Sequence, residues 1–344
     1  MLNFDEFKEY VQLNLADALP PGYENAKLSI NEVVKNNDRH LTAITVLPEG
    51  QNVAPNIYLD GFYMEYQSGT DLDTIMDEMA DMAVAHMNPV PEFENIAKDF
   101  QDFEFVKERV IMVAVGRERN EELLSDVPHQ NREDLALIYK VLVNSDKEGI
   151  GSITIHNNHL NFWDVSVEEL HELAVENTER LLPARVQSMS EVMREIFAKD
   201  GMDEDMLEML CEERAADEQM YVISNECKVN GAAAIFYEEV LSNLADRVGS
   251  DLFILPSSIH ECIAVSTNTF TAEGLAEMVV DVNSTQVAPE ERLSDHVYHF
   301  DAAAKTIKLA DTTVEALGLV AADSSHNYEA TQTNTEGNRP RHHR

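Results

Sequence analysis

The chain of 344 residues carries 64 Asp and Glu against 25 Lys and Arg, a net charge of −39, and 44% of it is apolar. That much apolar content in a chain longer than about 250 residues supports a sizeable core and more than one structural unit, which excludes a linker or a tail. A polyanion of this size is repelled by phosphate backbones and anionic lipid, which argues against nucleic-acid partners and membrane surfaces.

Three cysteines, Cys211, Cys227 and Cys262, are odd in number and lack CxxC spacing. Neither a disulfide framework nor a zinc ribbon is expected, and a reduced cytoplasmic interior is the default location. The first residues carry acids where a secretory signal needs cations. The longest uninterrupted apolar stretch, Val110 to Val115, falls far short of the roughly 20 residues that cross a bilayer.

In chain order, Phe4, Phe7, Val11, Leu15 and Leu19 recur at helical spacing up to Pro20-Pro21-Gly22. Lys27 to Val34 and His40 to Leu47 flank the turn-forming Asn36-Asn37-Asp38 and read as a hairpin. Ile57 to Asp60 leads through Gly61 into a short aromatic stretch. A helix capped at Thr70 follows to about Met87, ahead of Pro89 and Pro91, which mark a boundary. A helix over Ile96 to Glu108 feeds a strand Val110 to Val115. Asn120 to Asp126 is irregular or a single helical turn, and Leu135 to Val143 with Gly151 to His156 forms a second hairpin. Ser166 with Glu169 three residues on announces a capped amphipathic helix.

Ser190 to Glu218 reads as helical and acidic. Beyond it come a strand Met220 to Asn225, a helix Gly231 to Val248 capped by Asn230 and stopped by Gly249, and strands Leu252 to Leu255 and Cys262 to Val265. A helix Thr271 to Val282 and a hairpin His296 to Leu309 complete the pattern. The fold class is therefore α+β, with antiparallel sheets packed by amphipathic helices in two or more lobes. Residues 1–88 form an N-terminal α+β lobe and 89–320 a larger α+β region. Within it, Leu135 to Asn177 and Leu252 to Asn283 are either two similar units or a coincidence of short patterns, with an acidic helical connector at 186–218. Residues 321–344 form a polar tail, expected to be disordered.

The chemistry-bearing residues are few. With 13 glycines, and no phosphate loop, dinucleotide fingerprint or nucleophile elbow, no nucleotide cofactor is expected. Pro256-Ser257-Ser258-Ile259-His260-Glu261 gathers a hydroxyl, an imidazole and a carboxylate, the residue types of acyl transfer. If a strand already runs there, Ser258 and His260 share a face at about 7 Å, too far for a hydrogen bond. The plain reading is a turn whose hydroxyls satisfy backbone groups. Pro128-His129 to Asp134 places His129, Arg132 and Asp134 in a loop suited to acid-base work or to ordinary capping and ion pairing.

His156 with His159, and His296 with His299, stand three apart. The first pair falls in a turn and the second in an expected strand, where that offset sends the side chains to opposite faces. Either pair could share an ion only on helical or tightly turned backbone, and no metal site is expected. From Asp60 to Glu104, twelve acids face one base, Lys98, which suits either mimicry of a nucleic acid or simple solubility.

Several ordered segments carry a resemblance: Asn120 to Leu124, Pro128-His129 with Asp134-Leu135, Trp163 to Leu170 through Asn177-Thr178, Leu255 to Glu261, and Leu293-Ser294-Asp295 with Tyr298. Together they make residues 1 to 315 similar to an uncharacterised domain-of-unknown-function family of anaerobic gut bacteria. The resemblance implies no activity, substrate or cofactor and raises only the 255–261 segment above other polar clusters. The resulting expectation is a non-enzymatic cytoplasmic binding or regulatory protein whose acidic surface meets a protein partner. The alternative is a hydrolase-like enzyme using the cluster at 257–261, with Ser258, His260 and Glu261, and with His129 or Asp134 as further candidates.

Overall fold

The computed structural model describes residues 1–23, 25–50, 54, 56–85, 96–146, 149–199, 201–202 and 220–310. Among them are eleven α-helices and three antiparallel sheets, so the protein is of the α+β class. The expected boundary at Pro89 and Pro91, most of the acidic stretch before Met220 and the tail from 321 onward lie outside the described residues.

Helix α1 (Phe4–Ala18) opens with a reciprocal cap: Glu6 N–H donates to Asn3 Oδ1, and Asn3 N–H donates to the Glu6 carboxylate. Its buried side chains, Phe7, Val11 and Leu15, follow the four-residue repeat that brings them onto one face. Strands β1 (Lys27–Lys35) and β2 (Arg39–Leu47) form the expected hairpin, and β3 (Asn56–Tyr58) extends the sheet beyond β2. The aromatic stretch after Gly61 is itself helical, as α2 (Leu59–Ser68). Tyr63 and Tyr66 lie against Phe7, and this tertiary contact offsets the β-preference of aromatic residues.

Helix α3 (Leu72–Ala85) is capped by Asp71 rather than Thr70, with Thr74 N–H donating to Asp71 Oδ1 at 3.0 Å. The core of this lobe joins Phe7, Val11 and Leu15 to Ile44, Ile57, Leu59, Ile75 and Met79. Each such side chain, fully buried, contributes about 1.5–3 kcal/mol.

The helix expected over 96–108 is broken into α4 (Ile96–Asp99) and α5 (Phe103–Val106), followed by a 3₁₀ turn at 107–109. Extended backbone at Asp102, whose side chain caps α5, separates the two. The central sheet follows: β4 (Val110–Gly116), helix α6 (Glu121–Asp126), β5 (His129–Arg132), β6 (Leu135–Asp146) and β7 (Gly149–Thr154). The long β6 carries β4 along one edge. Its other edge carries β5 over its first part and β7 over its second. Helix α7 (Asn157–Trp163) leads to α8 (Val167–Leu181), which starts with the anticipated Ser166/Glu169 capping box.

A six-stranded sheet holds the rest: β8 (Ala184–Ser188), β9 (Met220–Asn225), β10 (Leu252–Leu255), β11 (Cys262–Ser266), β12 (Tyr298–Asp301) and β13 (Thr306–Leu309), in the order β13-β12-β10-β11-β9-β8. Helix α9 (Met189–Lys199) follows β8. The single helix expected over 231–248 is instead a 3₁₀ stretch at 231–236 and helix α10 (Val240–Val248). Extended backbone at Tyr237 and left-handed backbone at Glu239 break it, and Gly249 ends it as anticipated. Helix α11 (Ala272–Thr285) packs on the second face of this sheet, where Val265, Leu275 and Val279 meet.

One continuous core lies between the central and six-stranded sheets, joining Val110, Met112 and Tyr139 to Ile223, Ile254, Ala264 and Tyr298. Because Val113, Val115 and Ile138 are buried on the opposite face of the central sheet, β4 reads as an unbroken apolar run.

The tip of the β1–β2 hairpin docks on this body. Asn37 N–H donates to Oδ1 of fully buried Asn120, whose amide in turn donates to Gly116 O at 2.7 Å. Asn36 donates to Glu290 O at 2.9 Å and Asn37 to Pro289 O at 2.7 Å. Asp38 caps α6 by accepting from Glu122 and Leu123 N–H. Asn37, with φ of 62°, and Asp38, with φ of 47°, are in left-handed backbone, which short polar side chains tolerate best.

Candidate functional site

Ser258, His260 and Glu261 occupy the connection between β10 and β11, not a strand. Residues 256–259 run antiparallel to 291–294: Ile259 N–H donates to Glu291 O at 2.8 Å and Ser294 N–H to Pro256 O at 2.9 Å. Ser258 Oγ accepts the backbone N–H of His260 at 3.0 Å. Asn230 N–H donates to His260 Nδ1 at 3.2 Å, so the ring hydrogen sits on Nε2, which faces Glu291 Oε1 at 3.4 Å.

Both imidazole nitrogens are therefore engaged away from the Ser258 hydroxyl. Burial raises the Glu261 carboxyl above its usual range; nearby His260 opposes this and Glu291 adds to it. Gly231 makes the close packing feasible, since a Cβ there would lie 2.6 Å from Asn225 N and 2.7 Å from His260 O. The segment is built by side chain–backbone bonding and assembles no acyl-transfer constellation.

His129 lies on β5 opposite Ile138, and its Nδ1 donates to Val127 O at 3.0 Å. Among the described residues no hydrogen bond or ion pair joins it to Asp134 or to the 256–261 segment.

Asp134 is different. It sits in the two-residue turn between β5 and β6, behind Glu133, whose φ of 57° makes the reversal. Its carboxylate accepts from Ser294 Oγ at 2.6 Å, from His296 Nδ1 at 2.9 Å and from the Tyr298 hydroxyl. A carboxylate only accepts, so Nδ1 carries the hydrogen and Nε2 is left without a partner among the described residues. The hydrogen bond to Asp134 raises the His296 pKa above its ordinary value. Burial opposes the shift, while the charges of Asp134, Asp295 and Glu118 reinforce it.

His296 and Asp134 line a cleft of about 60 Å³ together with Gly116, Arg117, Glu118, Arg119, Leu293, Ser294 and Asp295. Arg119 pairs with Asp295, which also accepts from Asn283 at 2.6 Å. Gly116 is required at the floor, where a Cβ would stand 2.4 Å from Leu293 O. An acid-held imidazole with its second nitrogen open is the arrangement by which a base takes a proton from a ligand or a water. Ser294 is not its nucleophile, because that hydroxyl is committed to Asp134. A wider groove of about 310 Å³, lined by Ile235, Leu241, Phe300 and Lys305 among others, gathers no comparable set of groups.

Reading the sequence by motif found Asp134 but missed Ser294, His296 and Tyr298 as its partners. The sequence offered only an alternation of polar positions at 294, 296 and 298, and the chain in fact bends at 295–296, where Ser294 Oγ accepts the His296 N–H at 2.9 Å. Four of the five segments behind the family resemblance meet here: Asn120 and Asp134 contribute polar anchors, 293–298 the donors, and 255–261 the neighbouring strand-like support. The remaining one, Trp163 to Thr178, is structural. Trp163 Nε1 donates to Phe100 O at 3.1 Å, and Thr178 Oγ1 accepts from Met112 N–H at 2.9 Å.

His299 pairs with Asp251 at 3.1 Å and His156 with Asp126 at 2.7 Å, so neither histidine pair faces a common ion. Among the described residues no group of three or more His, Cys, Asp or Glu side chains is placed to hold a metal. No helix among them is long and apolar enough to cross a membrane.

An α+β body of three antiparallel sheets, with a carboxylate-centred cleft beside the seam of its lobes, is the class this architecture defines. The chain belongs to the family of unknown function DUF5688, whose model matches residues 4–302. No curated protein and no solved structure matches it.

Proposed function

We propose that the protein is a cytoplasmic, non-enzymatic binding or regulatory protein that meets a cationic protein partner through the outer faces of α1, α2 and α3. One observation carries this reading. Asp5, Glu6, Glu9 and Asp17 on α1, Glu65 on α2, and Asp73, Asp77, Glu78 and Asp81 on α3 are all exposed, and Lys8 is the sole base in the three helices. Only Asp5 has an ion-pair partner among the described residues. Leu13 at 78% and Met64 at 63% exposure stand among these acids, so the complementary surface is basic with apolar side chains between its charges. The same charge argues against nucleic acid.

The test is calorimetric titration of the full chain with a basic amphipathic helical peptide at two salt concentrations. Salt-sensitive binding should weaken at least ten-fold in the variant D73N/D77N/E78Q/D81N. Equal binding by the variant overturns the reading.

A second reading rests on the Asp134–His296 pair, which supports acid–base chemistry, such as water-mediated hydrolysis, in the cleft. Hydrolytic activity present in the native chain and lost in a folded H296A variant would establish it. Inactivity of both forms across a broad hydrolase screen would end it.

A further inference from the structure

Asp134 holds two basic residues from its two ends. Its main-chain carbonyl accepts the Arg117 N–H at 2.8 Å, and its carboxylate accepts the His296 Nδ1–H at 2.9 Å. Both residues line the cleft of about 60 Å³ above Gly116, so one cavity receives both side chains.

The buried acids of the cleft are already matched. Asp134 accepts from Ser294, His296 and Tyr298, and Asp295 accepts from Arg119 and Asn283. The basic groups are not. Among the described residues the Arg117 guanidinium has no hydrogen-bond or ion-pair partner, and neither has Nε2 of His296. What remains unspent around the cleft is therefore a planar fork of N–H donors and one imidazole nitrogen, with exposed Glu118 at the rim.

We propose that Arg117 and His296 form a binding site for a carboxylate group, with the guanidinium bonding both oxygens and Nε2–H of the charged imidazole adding a further hydrogen bond. The guanidinium fork matches a carboxylate bidentately, which gives direction as well as attraction. A cleft this small admits one such group and leaves the rest of the ligand toward solvent.

The charged groups facing the imidazole are Arg117, Arg119, Glu118, Asp134 and Asp295. The hydrogen bond to Asp134, reinforced by the three acids, raises the His296 pKa and so favours the form that carries Nε2–H. A bound anion favours that form further, so affinity rises as pH falls through the folded value. Glu118 and the net charge of −39 repel a dianion about twice as strongly as a monoanion, which selects carboxylate over phosphate. The site shares the Asp134–His296 pair with the acid–base reading but requires no reaction.

The test is titration of the full chain with acetate and, separately, with N-acetylalanylalanine at constant ionic strength, read by the His296 ring resonances and by calorimetry. Saturable binding is expected, several-fold tighter near pH 6 than near pH 8.5 and accompanied by proton uptake. It should weaken about ten-fold in R117Q, lose its pH dependence in H296Q, and persist in R194Q, which removes an exposed arginine far along the chain. Acetate binding as well as the peptide identifies a small organic acid; much tighter peptide binding identifies a chain terminus. Absence of saturable binding, or equal binding by native chain, R117Q and H296Q with cooperative unfolding retained, overturns the proposal. So does tighter binding of inorganic phosphate, or of methylammonium, than of acetate. A chain that binds acetate and hydrolyses nothing upholds this site while ending the hydrolytic reading.

Discussion

Two short segments run side by side, 256–261 and 291–298, and each holds the same turn, a Ser hydroxyl that accepts the N–H two residues on, but they differ in what their remaining donors reach. In the first, the Ser258 hydroxyl and the His260 ring are spent on backbone N–H groups. In the second, Ser294 Oγ likewise accepts the His296 N–H at 2.9 Å, but its own hydrogen, the His296 ring and the Tyr298 hydroxyl converge on one carboxylate across the lobe. Residue types alone made the first look catalytic. The difference teaches that a hydroxyl and an imidazole in sequence first satisfy the nearest main chain, and that the same local turn becomes a polar cluster only where a distant carboxylate stands within reach of its remaining donors.

Replacing the shared acceptor should break that comparison most severely. D134A leaves three donors without their acceptor and is expected to cost about 3 kcal/mol in urea unfolding, because removing one member of a buried polar network strands the rest. A loss below about 1 kcal/mol would show that the three donors are satisfied independently. Next, G231A forces a Cβ against Asn225 N and His260 O and should cost about 2 kcal/mol through overpacking, disturbing the first segment only. Hydrogen exchange that slows or stays constant at Ile259 and His260 in this variant would contradict it.

The pH dependence of His296 sharpens the contrast. Its folded pKa is raised, so its contribution is fully present below its unfolded value of about 6.5 and is lost as pH rises through the folded value. The native chain should therefore exceed H296Q in stability by about 1.5 kcal/mol near pH 5.5. That margin should shrink steadily toward pH 8.5; a margin that grows over this range would refute the Asp134 pairing. The smallest effect belongs to S258A, about 1 kcal/mol at any pH in this window, since one backbone N–H loses its acceptor. If S258A instead rivals D134A, the two segments are not different in kind.

Much of the architecture was legible where a local signal agreed with the packing. The β1–β2 hairpin followed from Asn36-Asn37-Asp38, and α8 followed from Ser166 and Glu169. Legibility failed where close approach decided. Ala232 to Phe236 has helical spacing, yet Gly231 presses against Ser224, Asn225 and His260, and the chain turns out at Tyr237. Likewise the aromatic stretch after Gly61 carried no element in the sequence, and its helix is set by Phe7 packing against Tyr63 and Tyr66. For the site, Asp134 was visible as a polar turn residue. Its donors lie 160 residues and more along the chain, and no local pattern announces which distant carboxylate an alternating stripe will meet.

The hairpin tip carries one more consequence. Its clasp on the body is made chiefly of amides, Asn36, Asn37 and Asn120, and of main-chain carbonyls, all of which are neutral. Two strongly negative bodies are thus fastened mostly by neutral groups that dissolved ions weaken little, with the Asp38 carboxylate on α6 and the His40–Glu122 pair as the charged members. Added electrolyte mutes chiefly the repulsion straining against it, so the lobes should hold together more firmly in brine than in dilute buffer.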